Sequence, residues 1–261
     1  MDDRSDPTGG TREWDAKTYQ QVSNPHIDWA AQVLGRITLR GDETMLDLGI
    51  GTGRVAGELL RRLPRGRVIG VDGSAAMLAA AREHLHDDPR LTLLHRDLLA
   101  LELDEPADGA VSSATFHWIA DHDLLFARVR AALKPGAPFV AQCGGRGNIA
   151  SVVAVIDDVA GREPFAAYLR DWPGPWNYAD APETEERLER AGFAVERCWL
   201  SRSPVTPDAP RDFLRTVVVG AHLDRLPAEL HDPFVDAVVA GLHGDPPEFD
   251  YVRLNWVATA R

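Results

Sequence analysis

Met45-Leu46-Asp47-Leu48-Gly49-Ile50-Gly51-Thr52-Gly53-Arg54 joins a short apolar run and an acid to three glycines spaced two apart, just before a helical stretch. Glycine lacks a Cβ and accepts positive φ, so such a backbone bends tightly at a strand end and can lie against a ligand. A plain tight turn has the same composition, and its surroundings must decide between the two. Working outward, apolar runs at 44–48, 68–71, 91–95, 110–113 and 138–142 read as strands. Stretches at 55–63, 75–84 and 124–133 are long enough to be crossover helices between them. Strands alternating with helices in this way predict an α/β fold with a mostly parallel sheet.

Upstream of the glycines, 24–37 has helical spacing of Ile27, Ala30, Ala31, Val33 and Leu34, with Asn24 as N-cap and Pro25 at the first helical position. Beyond Gly145 the alternation loosens. A helix is expected at 149–159, followed by the Pro-, Gly- and aromatic-rich run WPGPWNYADA at 172–181. A helix at 183–191 stops at Gly192, and strands follow at 193–200 and 251–260. Between those strands lie helical stretches at 210–220 and 227–242, too long for a hairpin loop. They predict helical cap insertions over the sheet.

The chain of 261 residues carries a formal charge of -12. That balance opposes association with a phosphate backbone, which depends on Lys and Arg displacing counterions. No nucleic acid is expected as a partner. No apolar run is long enough to span a bilayer, and the start MDDRSDPTGGTREW lacks the basic-then-apolar layout of a signal peptide. No membrane association is expected, and the cytoplasm is the expected compartment. Cys143 and Cys198 are far apart with no Cys-x-x-Cys spacing, and they read as small hydrophobes rather than as a disulfide or metal pair. The histidines show no ligand spacing, so no metal site is expected.

Acids follow the strands. Asp72 ends the second predicted strand in VIGVDGSAAML, where its two oxygens can accept both hydroxyls of a ribose; capping the next helix is its structural alternative. Asp97 follows the third in LLHRDLLAL, placed to accept from an adenine amine while the Leu98 N–H reaches a ring nitrogen. Gly73, Met77 in the following helix and Ser113 at the end of the fourth strand complete the expected cofactor set with Asp47, Gly49, Gly51 and Gly53. Two cofactors compete for it. Gly51-x-Gly53-x-x-Ala56 with Asp72 about 20 residues on also satisfies the dinucleotide pattern. Asp47 separates them, because a carboxylate ahead of the glycines opposes a dianionic pyrophosphate but attracts the sulfonium and ammonium of S-adenosylmethionine.

The motifs LDLGIGTG, GVDGSAAML, HRDLLAL and LKPGAPFVAQCGG together resemble those of the class I methyltransferases. The leader WDAKTYQQVSNPHIDWAAQVL and the run SSATFHWIADHDLLFARVRAALKPG resemble the trans-aconitate and related small-molecule methyltransferases. The resemblance implies a Rossmann-like sheet of seven strands with the last antiparallel, no metal, and S-adenosylmethionine as cofactor with S-adenosylhomocysteine as product. It also implies that the glycines hold the methionine part, Asp72 the ribose, and Asp97 with Leu98 the adenine. The expected division is a lid segment at 1–23, a cofactor-binding core at 24–145, a cap insertion at 146–191, and the C-terminal part of the sheet at 192–261 with a helical insertion at 202–250. The Ser113-Ala114-Thr115-Phe116 run departs from the pattern of amino-directed DNA methyltransferases.

A sulfonium already activates its methyl group, so the protein's main task is alignment of the acceptor. The expected acceptor is a small molecule, attacked through oxygen by preference. A carboxylate needs no base at pH 7; a phenol, alcohol or ammonium does. His117, just past the fourth strand, is the candidate base, and Tyr19, Trp118 and Trp176 are the candidate acceptor wall. No arginine cluster for a tricarboxylate is evident; Arg146, Arg162, Arg170, Arg202 and Arg211 are scattered. A nicotinamide oxidoreductase, a non-catalytic binder of the adenosyl cofactor, and N- or C-methylation of a natural product stay open at this level.

Overall fold

A computed structural model of the chain describes residues 25–261. Tyr19 and Asn24, named above, lie outside the described residues. After helix α1 (Pro25–Leu34) come β1 (Thr44–Leu48), α2 (Arg54–Arg62), β2 (Arg67–Asp72), α3 (Ala75–His84), β3 (Leu91–His95), β4 (Gly109–Ser113), α4 (His122–Ala131) and β5 (Pro138–Gly144). Then follow α5 (Ala150–Ala160), α6 (Ala166–Leu169), α7 (Ala181–Arg190), β6 (Phe193–Arg202), α8 (Pro210–Phe213), α9 (Gly220–Leu223), α10 (His231–Gly241) and β7 (Val252–Ala260).

The strands form one seven-stranded sheet in the order β3-β2-β1-β4-β5-β7-β6. β1 to β5 pair in parallel, and β7 runs antiparallel to both β5 and β6. Successive strand side chains face opposite ways, and this period of two divides the core into two layers. Leu46, Leu48, Ala110, Phe139 and Ala141 pack on one face with Phe126, Phe193 and Trp256. Met45, Val111 and Val140 pack on the other with Val33, Leu34, Val55 and Leu59. Central strands buried on both sides explain why β1 and β5 read as nearly continuous apolar runs. Ser74 caps α3 by accepting from the Met77 N–H at 3.2 Å, a cap of about 1 kcal/mol.

A third apolar cluster lies outside the sheet. It unites Ile149, Val152, Ile156, Phe165 and Leu169 with Phe213, Leu214, Val218, Phe234, Val238 and Phe249, and takes in Trp29 and Tyr251. Residues from both sides of β6 in sequence therefore share one cap core. Helix α7 belongs with the main sheet instead, since Leu188 packs in the layer of Phe126 and Trp256. The helix expected at 210–220 is broken: α8 passes into a wider π turn at Leu214–Val218 before α9. The β-branched run Val217-Val218-Val219 followed by Gly220 disfavours regular helix there. Among the described residues no helix is long and apolar enough to cross a membrane.

Candidate functional site

The strand order reverses direction between β1 and β4, and folds of this kind bind ligands outside the carboxyl ends of the strands at such a point. A cavity of about 420 Å³ opens there. The loops after β1, β2 and β3 line one half with Gly49, Gly51, Asp72, Gly73, Met77, Asp97 and Leu98. Ser113, Ala114 and Thr115 lie at the β4 end. The other half is lined by His117, Trp118, Asn148, Trp176 and Tyr178, by Val217 and Val218 of the cap, and by Tyr251 and Arg253.

The glycine loop is tied to its neighbour strand: the N–H groups of Gly49 and Ile50 both donate to the Val71 carbonyl, at 2.8 and 3.1 Å. Gly49 has φ +76°, and a Cβ there would stand 2.1 Å from Thr115 Oγ1. Its missing side chain thus makes room for the β4 turn. Gly51 has φ +53° and nothing within 4 Å of a would-be Cβ, so its bare backbone faces the open cavity. Gly53 is different. It precedes α2 against the side chain of Leu85 and does not line the cavity.

Asp72 secures this geometry while bordering the cavity. Its Oδ2 accepts from the Gly51 N–H and its Oδ1 from the Ser74 N–H, each at 2.9 Å. A carboxylate has roughly four lone-pair sites, so each oxygen can accept from more than one donor. Asp97 Oδ1 accepts from the Leu99 N–H at 2.8 Å and so performs the turn-capping role as well as bordering the cavity.

Asp47 sits behind the glycine loop. It shares the face of Met45, is 1% exposed, and does not line the cavity. Burial, then the neighbouring charge of Asp72, raise its carboxyl to about 7, against a hydrogen bond from the Ala56 N–H that lowers it. Its Oδ2 has no hydrogen-bond partner. The carboxyl is thus held behind the glycine loop rather than on the cavity surface.

His117 is buried, and its Nδ1 accepts from the Gly144 N–H at 3.2 Å. The neutral ring then carries its proton on Nε2. In that tautomer the ring presents a donor at Nε2. Trp118 and Trp176 both line the cavity, with ring centroids 6.2 Å apart, and Tyr178 stacks 5.7 Å from Trp176 and 6.0 Å from His117. Asn177 holds the cap loop in place: its N–H donates to the His117 carbonyl at 2.8 Å and its side-chain amide to the carbonyls of Ile119 and Ala120.

Sequence reasoning missed Asn148 and Arg253. Asn148 is buried, accepts from the Val252 N–H at 3.0 Å, and hydrogen-bonds the Tyr178 hydroxyl. Arg253 opens the antiparallel last strand, which begins where the parallel strands end, and so reaches the ligand edge. Two non-glycine residues on the cavity have left-handed backbones, Ala114 at φ 60° and Ile149 at φ 47°. Each costs on the order of 1–3 kcal/mol, strain of a kind that concentrates around functional sites.

This frame has known counterparts. A methyltransferase-domain family model matches residues 45–136. The trans-aconitate 2-methyltransferase of Azoarcus sp. is 31% identical over 255 residues, covering 92% of this chain and 94% of its own length. That of Methylobacterium nodulans is 28% identical over 91% and 92% of the two chains. Mycolic acid cyclopropane synthase, solved with S-adenosylhomocysteine, superposes with a TM-score of 0.63 at 13% identity over 96% of both chains. A Haemonchus contortus phosphoethanolamine N-methyltransferase bound to S-adenosylhomocysteine gives 0.58 at 22% identity over 94% of this chain and 56% of that one; at such identities the likeness shows the fold. The chain belongs to the class I S-adenosylmethionine-dependent methyltransferases. The dinucleotide alternative is set aside.

Proposed function

We propose that this methyltransferase acts on the carboxylate oxygen of a small molecule, with the cofactor in the glycine-loop half of the cavity and the acceptor in the aromatic half. The observation that carries the reading is the hydrogen bond from the Gly144 N–H to His117 Nδ1, which puts the neutral ring's proton on Nε2 and so presents a donor on the acceptor side. A carboxylate is already deprotonated at pH 7 and needs only to be held. The relatives from Azoarcus and Methylobacterium are named for a carboxylic acid substrate, which supports the same reading.

The residues fit the cofactor in charge and shape. Gly51 offers bare backbone beside open space, and Asp72 and Asp97 offer acceptors at the ends of adjacent strands. The unpartnered Oδ2 of Asp47 behind the loop suits a cationic ligand over a pyrophosphate. When bound, S-adenosylmethionine supplies a methyl group on sulfur, and transfer to a carboxylate oxygen leaves a thioether and a neutral ester. The chain's own part is to orient. Asp72 and Asp97 fix the adenosine, while Trp118, Trp176 and Tyr178 wall the acceptor and exclude water. Alignment of this kind supplies roughly 7–11 kcal/mol of barrier reduction.

The test is methyl transfer from labelled S-adenosylmethionine to matched acids, phenols and amines. Acids are expected to turn over with kcat constant from pH 6 to 9. Turnover confined to phenols or amines, rising through a single ionisation, would restore the base and remove the carboxylate reading.

A further inference from the structure

We infer that the Tyr178 hydroxyl donates to the acceptor's carboxylate, which makes Tyr178 a specificity-determining residue and Asn148 the positioning residue behind it. The inference rests on the carboxylate reading above and deepens it. Both residues line the cavity.

Gly144, at the end of β5, brings the two side chains together. A Cβ there would stand 2.7 Å from Tyr178 Cε1 and 3.0 Å from Asn148 Nδ2, so a glycine is what admits both at this approach. The Gly144 N–H also donates to His117 Nδ1. Tyr178 stacks on the His117 ring with 26° between planes and on the Trp176 ring with 10°. The phenol ring is therefore held by its stacking partners and by the backbone of β5.

Asn148 sets the hydroxyl. The Gly145 N–H donates to the Val252 carbonyl at 3.0 Å, and the Val252 N–H donates back to Asn148 Oδ1 at 3.0 Å. Turning the amide over would set its NH2 against the Val252 N–H, donor against donor. With Oδ1 engaged by β7, Nδ2 is the group that meets the Tyr178 hydroxyl. That bond pulls the phenol's pKa down, as a donor to its oxygen does. A hydroxyl whose oxygen accepts from an amide keeps its own proton for another partner, directed away from that amide. Burial outweighs the Asn148 bond and holds the phenol above its ordinary range, so the proton stays on oxygen across pH 6–9. Tyr178 is thus a donor and not a base. A carboxylate accepts a strong, charge-assisted bond from such a group; an amide carbonyl accepts a weaker one, and an ammonium accepts none.

The test uses the full chain with S-adenosylmethionine and benzoate, cinnamate, octanoate and trans-aconitate, and takes forward the acid that wild type methylates fastest. Tyr178→Phe keeps the ring and removes only the hydroxyl. It is expected to raise KM for that acid about 30-fold with little change in kcat, by the same ratio from pH 6 to 9. Affinity for S-adenosylhomocysteine should stay within about twofold of wild type. Asn148→Ala should raise KM about tenfold alone but add little in Tyr178→Phe, because it acts through the hydroxyl; a merely structural loss would add in full. In wild type loaded with S-adenosylhomocysteine, the acid should bind at least about tenfold more tightly than its primary amide. Equal binding of acid and amide overturns the inference whether or not any variant folds. An unchanged KM in Tyr178→Phe, a kcat loss that deepens as pH rises, or full additivity of the two variants overturns it as well. The cofactor's methionine tail also ends in a carboxylate, and loss of S-adenosylhomocysteine affinity in Tyr178→Phe would assign the hydroxyl to that tail instead. Were wild type to methylate amines or phenols but none of the acids, the carboxylate reading itself would fall, and the inference with it.

Discussion

Asp47 is the residue whose chemistry is most altered by the fold. Its carboxyl stands near 7 against an ordinary 3.8, chiefly through burial. Between those values the folded chain binds more protons than the unfolded one, so this group's contribution to stability is present at low pH and is lost as pH rises from about 4 to 7. Asp47→Asn is therefore expected to raise the melting temperature of the ligand-free protein at pH 8 by several degrees and to change it little at pH 4.5. A cationic ligand favours the ionised form, so wild-type affinity for S-adenosylmethionine should climb as pH passes through 7, and this dependence should vanish in the variant. Thermal unfolding and calorimetry across pH 5–9 check both. The glycines make a second pair of residue-scale predictions. Gly49→Ala drives a Cβ into Thr115 at a positive φ and should destabilise the fold by several kcal/mol. Gly51→Ala meets no atom, so it should cost only about 1–2 kcal/mol of stability. It should nonetheless weaken S-adenosylhomocysteine at least tenfold, because the new methyl group projects into the cavity.

At the scale of elements, the acceptor half depends on the loop between α6 and α7. It has no regular structure of its own and is held by the three bonds of Asn177 to the turn that carries His117 and Trp118. Asn177→Ala removes the two side-chain bonds. The expected result is a KM for the acceptor raised about tenfold, with S-adenosylhomocysteine affinity within twofold of wild type. Steady-state kinetics and calorimetry on one preparation read both.

The same elements show what sequence can convey. The glycine loop and the acids after β2 and β3 were legible because strand, bend and helix follow each other within a few residues. Arg253 was not, because β7 is buried on both faces and its residue pattern gives no sign of which side chain meets a cavity. Its place on the cavity follows from an antiparallel strand beginning where parallel ones end, a relation between segments more than a hundred residues apart, as the bond from Arg253 to Gln142 illustrates. Asp47 was legible as an acid before the glycines, but whether it faced the ligand or the helix layer depended on the pleat of β1. His117 was found by its place after β4, while its tautomer depended on Gly144.

Across the whole molecule, sheet and cap have separate apolar cores, and the cavity lies between them, lined from both. A ligand that touches both layers stabilises their folded arrangement by mass action. S-adenosylhomocysteine at a hundred times its Kd should add about 2.7 kcal/mol, a rise in melting temperature of roughly 5 °C or more, and NAD should add none. The cap also gives the cavity at one sheet edge two halves, since the loops after β1 to β3 line one and the cap with the start of β7 lines the other.

The central claim is that adenosine is held at the ends of β1 to β3, with Asp72 on its ribose. Calorimetric titration of S-adenosylhomocysteine into wild type and Asp72→Asn tests it most directly. The account predicts one site per chain in the wild type, no heat with NAD, and binding at least tenfold weaker in the variant. Equal affinity in the two proteins, or binding of NAD in place of S-adenosylhomocysteine, would contradict it.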